Sequence, residues 1–372
     1  MYILLCVISG LRRHRHAGLR DSLNYIAFDT HKRYTHLRVE DANGNKLDER
    51  RLEHYRGELC GYLKRWDAGS PVAVETVGNW YWIVDEIEQA GLKPQLVHAR
   101  KAKLMMAMGN KSDRLDCVGM NKLQRVGTLP TVWIPPGKLR ALRELTRTRM
   151  VMVRERTRMK NRIHATLAKY GIRIDGVSDL FGIKGREEFS KALMELNDHA
   201  RFATEMLIDE VVQLNEKIKA FDKRIKGVLE ITEQMSLLQT IPGIGLVLSA
   251  VIALEVGEVT RFPRAEKLAA YSGTTPRIYQ SGQTLRYGPV RKDVNRYLKY
   301  AFMEAANVIC LHQNHPRYRH VAKLYARTKA RKGHQKAIGA VARHLAEATY
   351  WILTKREEYR PPKRSRKTVM HT

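Results

Sequence analysis

Tyr25-Ile26-Ala27-Phe28-Asp29 is a short apolar run that stops on a carboxylate. A run of this length between polar residues suits a buried strand, with Asp29 at or near its end. The residues downstream extend that strand into a sheet. Tyr34 to Val39 alternates moderately, Asn43-Gly44 is a strong hairpin signal, and Lys46 to Leu52 supplies a return strand. An antiparallel meander is expected, beginning with the aspartate strand. A helical stretch, roughly Tyr55 to Trp66, leads to Pro71-Val72-Ala73-Val74-Glu75, a second apolar strand ending in a carboxylate. Thr76 to Asn79 reads as a turn and Trp80 to Ala90 as a helix closed by Gly91, with Pro94 to His98 as a further strand. Strands alternating with helices after a meander predict a mixed α/β sheet.

Helical residues Lys101 to Met108 lead into Gly109-Asn110-Lys111-Ser112-Asp113-Arg114-Leu115-Asp116-Cys117. A helix starting near Ser112 would be capped by its hydroxyl, and Asp113 and Asp116 would then share one face. Like charges on adjacent turns repel unless a cation offsets them. The plainer alternative is an acidic first turn that suits the helix dipole.

The 372-residue chain carries 67 Lys and Arg against 38 Asp and Glu, a formal charge of +29, with a pI near 10.1. Such an excess calls for a polyanionic partner, nucleic acid first. No run of 18 apolar residues exists to span a bilayer, so no membrane partner is expected. The apolar run Met1 to Ile8 resembles a signal core, but Arg12, Arg13 and Arg15 follow it, the reverse of a secretory signal. Residues 1–24 read as an extension. Cys6, Cys60, Cys117 and Cys310 are scattered without metal-binding spacing, which fits reduced thiols in a cytosolic protein.

Residues 136–170 hold eleven Lys or Arg and two Glu, with Leu145, Met152 and Met159 seven apart. This predicts a long basic helix with an apolar seam, and Arg140, Arg143, Arg147, Arg149, Arg154 and Arg158 are its candidate phosphate contacts. Along 189–229, Leu193, Ala200, Leu207, Leu214, Phe221 and Val228 keep a seven-residue step. The companion row is Phe189, Leu196 and Ala203, then Val211, Ile218 and Ile225, so the seam should rotate near residue 207. The two stretches predict a helical hairpin, either a coiled coil joining chains or a bundle within one.

Thr240-Ile241-Pro242-Gly243-Ile244-Gly245, before the apolar helix Leu246 to Val256, has the helix-hairpin-helix pattern. Gly243 and Gly245 would let backbone N–H groups approach a phosphate; a tight turn without a ligand is the alternative. Gly273 to Gln283 follows as a polar loop containing Ser281-Gly282. Arg277, Arg286, Arg291 and Lys292 flank it as candidate phosphate ligands, and Asn295 to Ile309 reads as an amphipathic helix. Basic segments Arg327 to Lys336 and Lys363 to Lys367 complete the chain.

Asp29, Glu75, Asp113 and Asp116 are thus four carboxylates on three elements. An RNase H-like sheet sets its first and a middle strand side by side and packs a later helix across them, which would gather the four. Converged carboxylates are hard oxygen ligands suited to Mg²⁺. Two ions about 4 Å apart can serve both the attacking and the leaving oxygen of phosphoryl transfer.

The chain resembles the DEDD transposases of bacterial insertion sequences, a group that includes the pilin-gene invertases and bridge-RNA-guided recombinases. The resemblance rests on Ile26-Ala27-Phe28-Asp29, Val74-Glu75-Thr76-Val77-Gly78, Asn110-Lys111-Ser112-Asp113-Arg114-Leu115-Asp116, Ile241-Pro242-Gly243-Ile244-Gly245, and Thr275-Pro276 followed by Ser281-Gly282. It implies a RuvC-like (RNase H-like) domain over 25–135, a basic helical coiled coil over 136–230, a mainly α transposase domain with a helix-hairpin-helix over 231–350, and a basic tail over 351–372. It further implies two Mg²⁺, for which Mn²⁺ can substitute, held by Asp29, Glu75, Asp113 and Asp116, and a nucleophilic Ser281. Oligomers, dimeric or tetrameric, acting on two DNA duplexes with a structured guide RNA in the bacterial cytoplasm and nucleoid are implied as well. Lys111, Gly243, Gly245, Arg277, Arg286 and Lys292 join the helix arginines as expected nucleic-acid contacts. Cys117 stands where alanine is frequent in the family, and Gln280 where an acid often precedes the serine.

A serine hydroxyl is a poor nucleophile without a base, a metal or a cationic pocket. No histidine lies near Ser281 in sequence, so its activation must come across the fold. Ser272 also precedes a glycine, but its place after a helix suits a turn. Two rival functions remain: a junction-resolving nuclease, which needs the acids but not the serine, and a non-catalytic nucleic-acid scaffold.

Overall fold

The computed structural model describes residues 23–106, 112–177 and 179–361. The chain divides into two compact units with the boundary at Gly137. Residues 1–22 of the leader, Ala107 to Lys111 and the basic run Lys363 to Lys367 lie outside the described residues.

The first unit is built on a five-stranded mixed sheet: β1 (Tyr25–Thr30), β2 (Tyr34–Glu40), β3 (Lys46–Glu53), β4 (Pro71–Glu75) and β5 (Lys93–Val97), in the order β3-β2-β1-β4-β5. β1, β2 and β3 form the expected antiparallel meander, while β4 and β5 run parallel to β1. At the hairpin, Asp41 Oδ1 accepts from the backbone N–H groups of Asn43 and Asn45, and Gly44 takes φ +91°, which costs glycine nothing.

Side-chain alternation gives β1 and β4 two different faces. Ile26, Phe28, Val72 and Val74 point to one face, where α1 (Glu58–Leu63) and α2 (Trp80–Gln89) bury them with Leu59, Ile83 and Ile87. α1 is shorter than the expected Tyr55–Trp66 stretch because Gly57 starts it and the chain turns at Arg65 and Trp66. Ala27 and Ala73 point to the other face, against Cys117, Met120 and Leu123 of α4 (Asp113–Arg125) and Ala102 of α3 (Ala99–Met106). Small side chains there let the helix come close: the Cys117 thiol donates to the His36 carbonyl at 3.4 Å and Asn121 to the Arg38 carbonyl at 3.2 Å.

In the second unit the basic stretch is one helix, α5 (Gly137–Lys169). The stretch expected to continue from 189 to 229 is broken in two, α6 (Ile183–Met194) and α7 (Asp198–Val228). The first ends at Met194 with Glu195 as its C-cap, and Asn197 starts the second by accepting from the Ala200 N–H at 2.9 Å. Burial on α7 follows Thr204, Val211, Ile218 and Ile225 with Leu214, so the companion row carries the seam in its second half. Ile163 and Leu167 of α5 pack with Phe189, Leu196 and Val211.

The remaining core gathers α8 (Glu233–Gln239), α9 (Leu246–Val256), α10 (Ala265–Tyr271), α11 (Arg296–Leu311), α12 (Arg319–Lys332) and α13 (His334–Lys355). Leu238, Ile252, Phe302, Val341 and Leu345 are among its buried residues, and Met150 joins it from α5. The polar loop expected around Ser281 is instead a hairpin of β6 (Pro276–Ser281) and β7 (Thr284–Val290).

Candidate active site

The pairing of Ala27 with Ala73 and of Phe28 with Val74 sets Asp29 and Glu75 one step further along adjacent parallel strands. Both are an even number of residues from the alanines, so both belong to the face covered by α4. Ser112 caps that helix: its Oγ accepts from the Leu115 N–H at 3.3 Å, leaving Asp113 and Asp116 in the first turn. Two strand ends and one helix start therefore bring their acids to one corner.

Asp29 sits deepest, 7% exposed. Burial, then the charges of Asp113 and Glu75, and lastly that of Asp116, push its carboxyl up to about 6, with His31 pulling the other way. Burial acts first and the three neighbouring carboxylates add to it, so Asp29 feels the charge of the other three acids.

His31 was not among the sequence-derived candidates. Its Nε2 lies 3.0 Å from Asp113 Oδ2 and 3.6 Å from Asp29 Oδ2. The one hint in the sequence is its place two residues after Asp29. The residue is held by its own backbone: its N–H donates to the Tyr34 carbonyl at 2.9 Å, and Asn79 Nδ2 donates to its carbonyl at 3.0 Å. Its ring stacks on Tyr34 with centroids 4.5 Å apart, and the Arg51 guanidinium lies 3.8 Å from the same Tyr34 ring.

In the second unit, Ser281 ends β6 opposite Thr284, joined by a two-residue turn in which Gly282 takes φ +56°. Directly paired residues share a face. Ser281 and Thr284 accordingly lie with Tyr279 and Arg286, while Ile278, Leu285 and Tyr287 form an exposed apolar opposite face. Arg277 lies on β6, and Lys292 is exposed just past β7, beside Arg291, which is paired with Asp293. Ser272 is fully buried and donates to the Ala269 carbonyl at 2.9 Å, which makes it a turn residue.

Several expected phosphate contacts prove structural. Arg140 and Arg143 are buried, and Arg143 donates to the Leu254 carbonyl at 2.7 and 2.8 Å. Arg147 grips buried Glu255 through two hydrogen bonds of 2.6 and 3.0 Å, and Arg149 pairs with Asp222 at 2.5 Å. A basic helix against a core spends its inward arginines on carbonyls and acids, which a charge count along the sequence does not distinguish. Arg154 and Arg158 remain exposed, the latter 3.2 Å from Glu155. Gly243 takes φ +79°, and an added Cβ would meet the Ala305 carbonyl oxygen at 2.5 Å, so close helix packing requires this glycine. Gly245 is exposed at the start of α9 with open space beside it.

The first unit is thus a mixed α/β sheet with Asp29 and Glu75 at strand ends and Asp113 and Asp116 at the start of the helix across it, and the second unit is largely helical. Residues 26–172 match the IS110-type DEDD transposase domain, and residues 235–322 match the transposase family of IS116, IS110 and IS902. The transposase of insertion sequence IS1111A from Coxiella burnetii is 23% identical over 270 residues, 73% of this chain and 74% of that protein. That of IS1328 from Yersinia enterocolitica is 24% identical over 294 residues, covering 77% and 84%. A probable family 20 transposase from Pseudomonas aeruginosa is 22% identical over 352 residues, covering 91% and 99%. The chain belongs to the IS110/IS116 family of insertion-sequence transposases, enzymes that cut and rejoin DNA. Among the described residues, no helix is long and apolar enough to cross a membrane.

Proposed function

We propose that this transposase is a divalent-metal-dependent recombinase, with Asp29, Glu75, Asp113 and Asp116 as metal ligands on an RNase H-like sheet and Ser281 as nucleophile. The observation that carries the reading is the corner where ligand atoms of Asp29 and Asp113, with His31, lie within 4.8 Å of one another, beside a buried Asp29 carboxyl that burial and its acidic neighbours push up to about 6. A site that crowds negative charge out of water fits a hard cation such as Mg²⁺ or Mn²⁺. The β3-β2-β1-β4-β5 order with α4 across β1 supports the RNase H-like assignment. A bound ion would supply charge stabilisation to the oxygens of phosphoryl transfer.

The residues of the second unit supply the rest. Ser281, at an exposed hairpin tip, can reach a DNA backbone, and Arg286 shares its face to hold the phosphate. A new P–O bond to Ser281 replaces the bond to a deoxyribose oxygen, which leaves as a hydroxyl. The phosphoserine ester retains the bond energy, so rejoining needs no nucleotide cofactor. The carboxylates belong to the first unit and Ser281 to the second. Gly245, the exposed Arg154 and Arg158, and the hairpin cations Arg277 and Lys292 would hold DNA or a structured RNA, consistent with the +29 charge. Half-exposed apolar positions on α7, such as Phe202 and Met206, suit association of copies.

The test uses the full chain, a DNA substrate bearing both element ends, and Mg²⁺. Asp29→Ala should abolish all strand chemistry. Ser281→Ala should abolish the covalent protein–DNA species that survives denaturation. Cutting without that species, in wild type and Ser281→Ala alike, would make the protein a nuclease; full activity in Asp29→Ala would remove the metal reading.

A further inference from the structure

We infer that His31 is a ligand of the divalent ion, binding through Nε2 between Asp29 and Asp113. This deepens the metal reading above and rests on it. Ligand atoms in an octahedral shell at about 2.1 Å from the ion lie about 3 Å apart when adjacent. His31 Nε2 is 3.0 Å from Asp113 Oδ2 and 3.6 Å from Asp29 Oδ2, and the ligand atoms of all three residues lie within 4.8 Å of one another.

The imidazole is also arranged in advance. Its backbone is pinned by Tyr34 and Asn79, and its ring lies on Tyr34. A surface histidine that merely met an acid would have no need of that support. Fixing the ring before the ion arrives lowers the ordering cost of coordination, as supporting contacts do around metal sites generally. Without the ion, one nitrogen can share a hydrogen with Asp113. With it, Nε2 would supply the ligand lone pair and Nδ1 would carry the proton.

A nitrogen ligand changes which ion the corner prefers. Mg²⁺ demands a near-ideal oxygen shell and dehydrates reluctantly, whereas Mn²⁺, and more strongly Co²⁺, tolerates one nitrogen among its oxygen ligands. The site should therefore bind Mn²⁺ more tightly than Mg²⁺, and His31→Gln should narrow that preference by weakening Mn²⁺ about tenfold.

The probe is Mn²⁺ added to chelator-stripped full-length protein without DNA. Bound ion is counted by electron paramagnetic resonance, and nitrogen coordination is read by pulsed detection of ¹⁴N coupling. Wild type should show directly coupled nitrogen, His31→Gln should keep Mn²⁺ but lose the coupling, and Asp29→Asn should lose the ion. His36→Gln and His54→Gln should leave the coupling intact, and loss of the coupling in either variant would move the nitrogen ligand away from His31 whether or not His31→Gln folds. Mn²⁺ bound in an Asp29-dependent way without nitrogen coupling, or with coupling that survives His31→Gln, overturns the His31 assignment and leaves the carboxylate site standing. No binding, or binding indifferent to Asp29→Asn, overturns both.

Discussion

Asp29 carries a pH signature that can be measured without DNA. Its carboxyl rises from the ordinary 3.8 to about 6, chiefly through burial and then through Asp113 and Glu75. A folded-state pKa above the unfolded one gives stability that is complete below about 3.8 and is lost as pH climbs through about 6. In a chelator, the melting temperature of wild type should fall across that window relative to Asp29→Asn, and Mg²⁺ or Mn²⁺ should restore it above pH 6. Superimposable profiles for the two proteins would contradict this. Glu255 offers a second test. It is fully buried and held by Arg147 Nε and Nη2 and by Asn295 Nδ2 at 2.8 Å. Removing one partner of a buried ion pair strands the other charge, so Glu255→Ala should cost about 3–5 kcal/mol in thermal or urea unfolding. A loss below about 1 kcal/mol would mean that water reaches Arg147 freely.

At the scale of elements, α4 positions half of the acidic set, and its start depends on Ser112. Ser112→Ala removes the hydrogen bond to the Leu115 N–H and should cost about 1 kcal/mol. Fraying of that turn should weaken Mn²⁺ binding as well, whereas Ser112→Asp, which also caps, should preserve both properties. The strands around this helix were legible because their pattern is local: apolar runs ending in Asp29 and Glu75, and a turn at Asn43-Gly44. The corner itself could be inferred only through a fold, since Asp29 and Asp113 are 84 residues apart in numbering and no spacing rule joins them. His31 escaped because a lone histidine in a turn carries no signal until its neighbours are placed. The basic helix misled for a related reason. Periodicity reveals that a helix is amphipathic, yet Arg140 and Arg143 look like surface residues until Leu254 and Glu255 are seen to receive Arg143. The hairpin at 276–290 was missed because Ile278, Leu285 and Tyr287 are exposed on a ribbon with no covering layer, so burial leaves no alternation to read.

For the whole molecule, the charge excess makes salt the natural variable. Arg154→Ala and Arg158→Ala should each reduce the slope of log affinity against log salt by about one, leaving melting unchanged. Arg143→Ala should do the reverse, lowering stability with little effect on the slope. An unaltered slope in both Arg154 and Arg158 variants would mean that this face of α5 points to solvent in the complex. The grip on Glu255 has a mechanical side too. Arg143 and Arg147 reach it from α5, while Asn295 reaches it from the residue that caps α11, five positions beyond the end of β7. One hidden knot thus ties the long cationic rod to the root of the stalk that bears Ser281. The rod cannot roll on its axis without either dragging that root along or tearing the knot open.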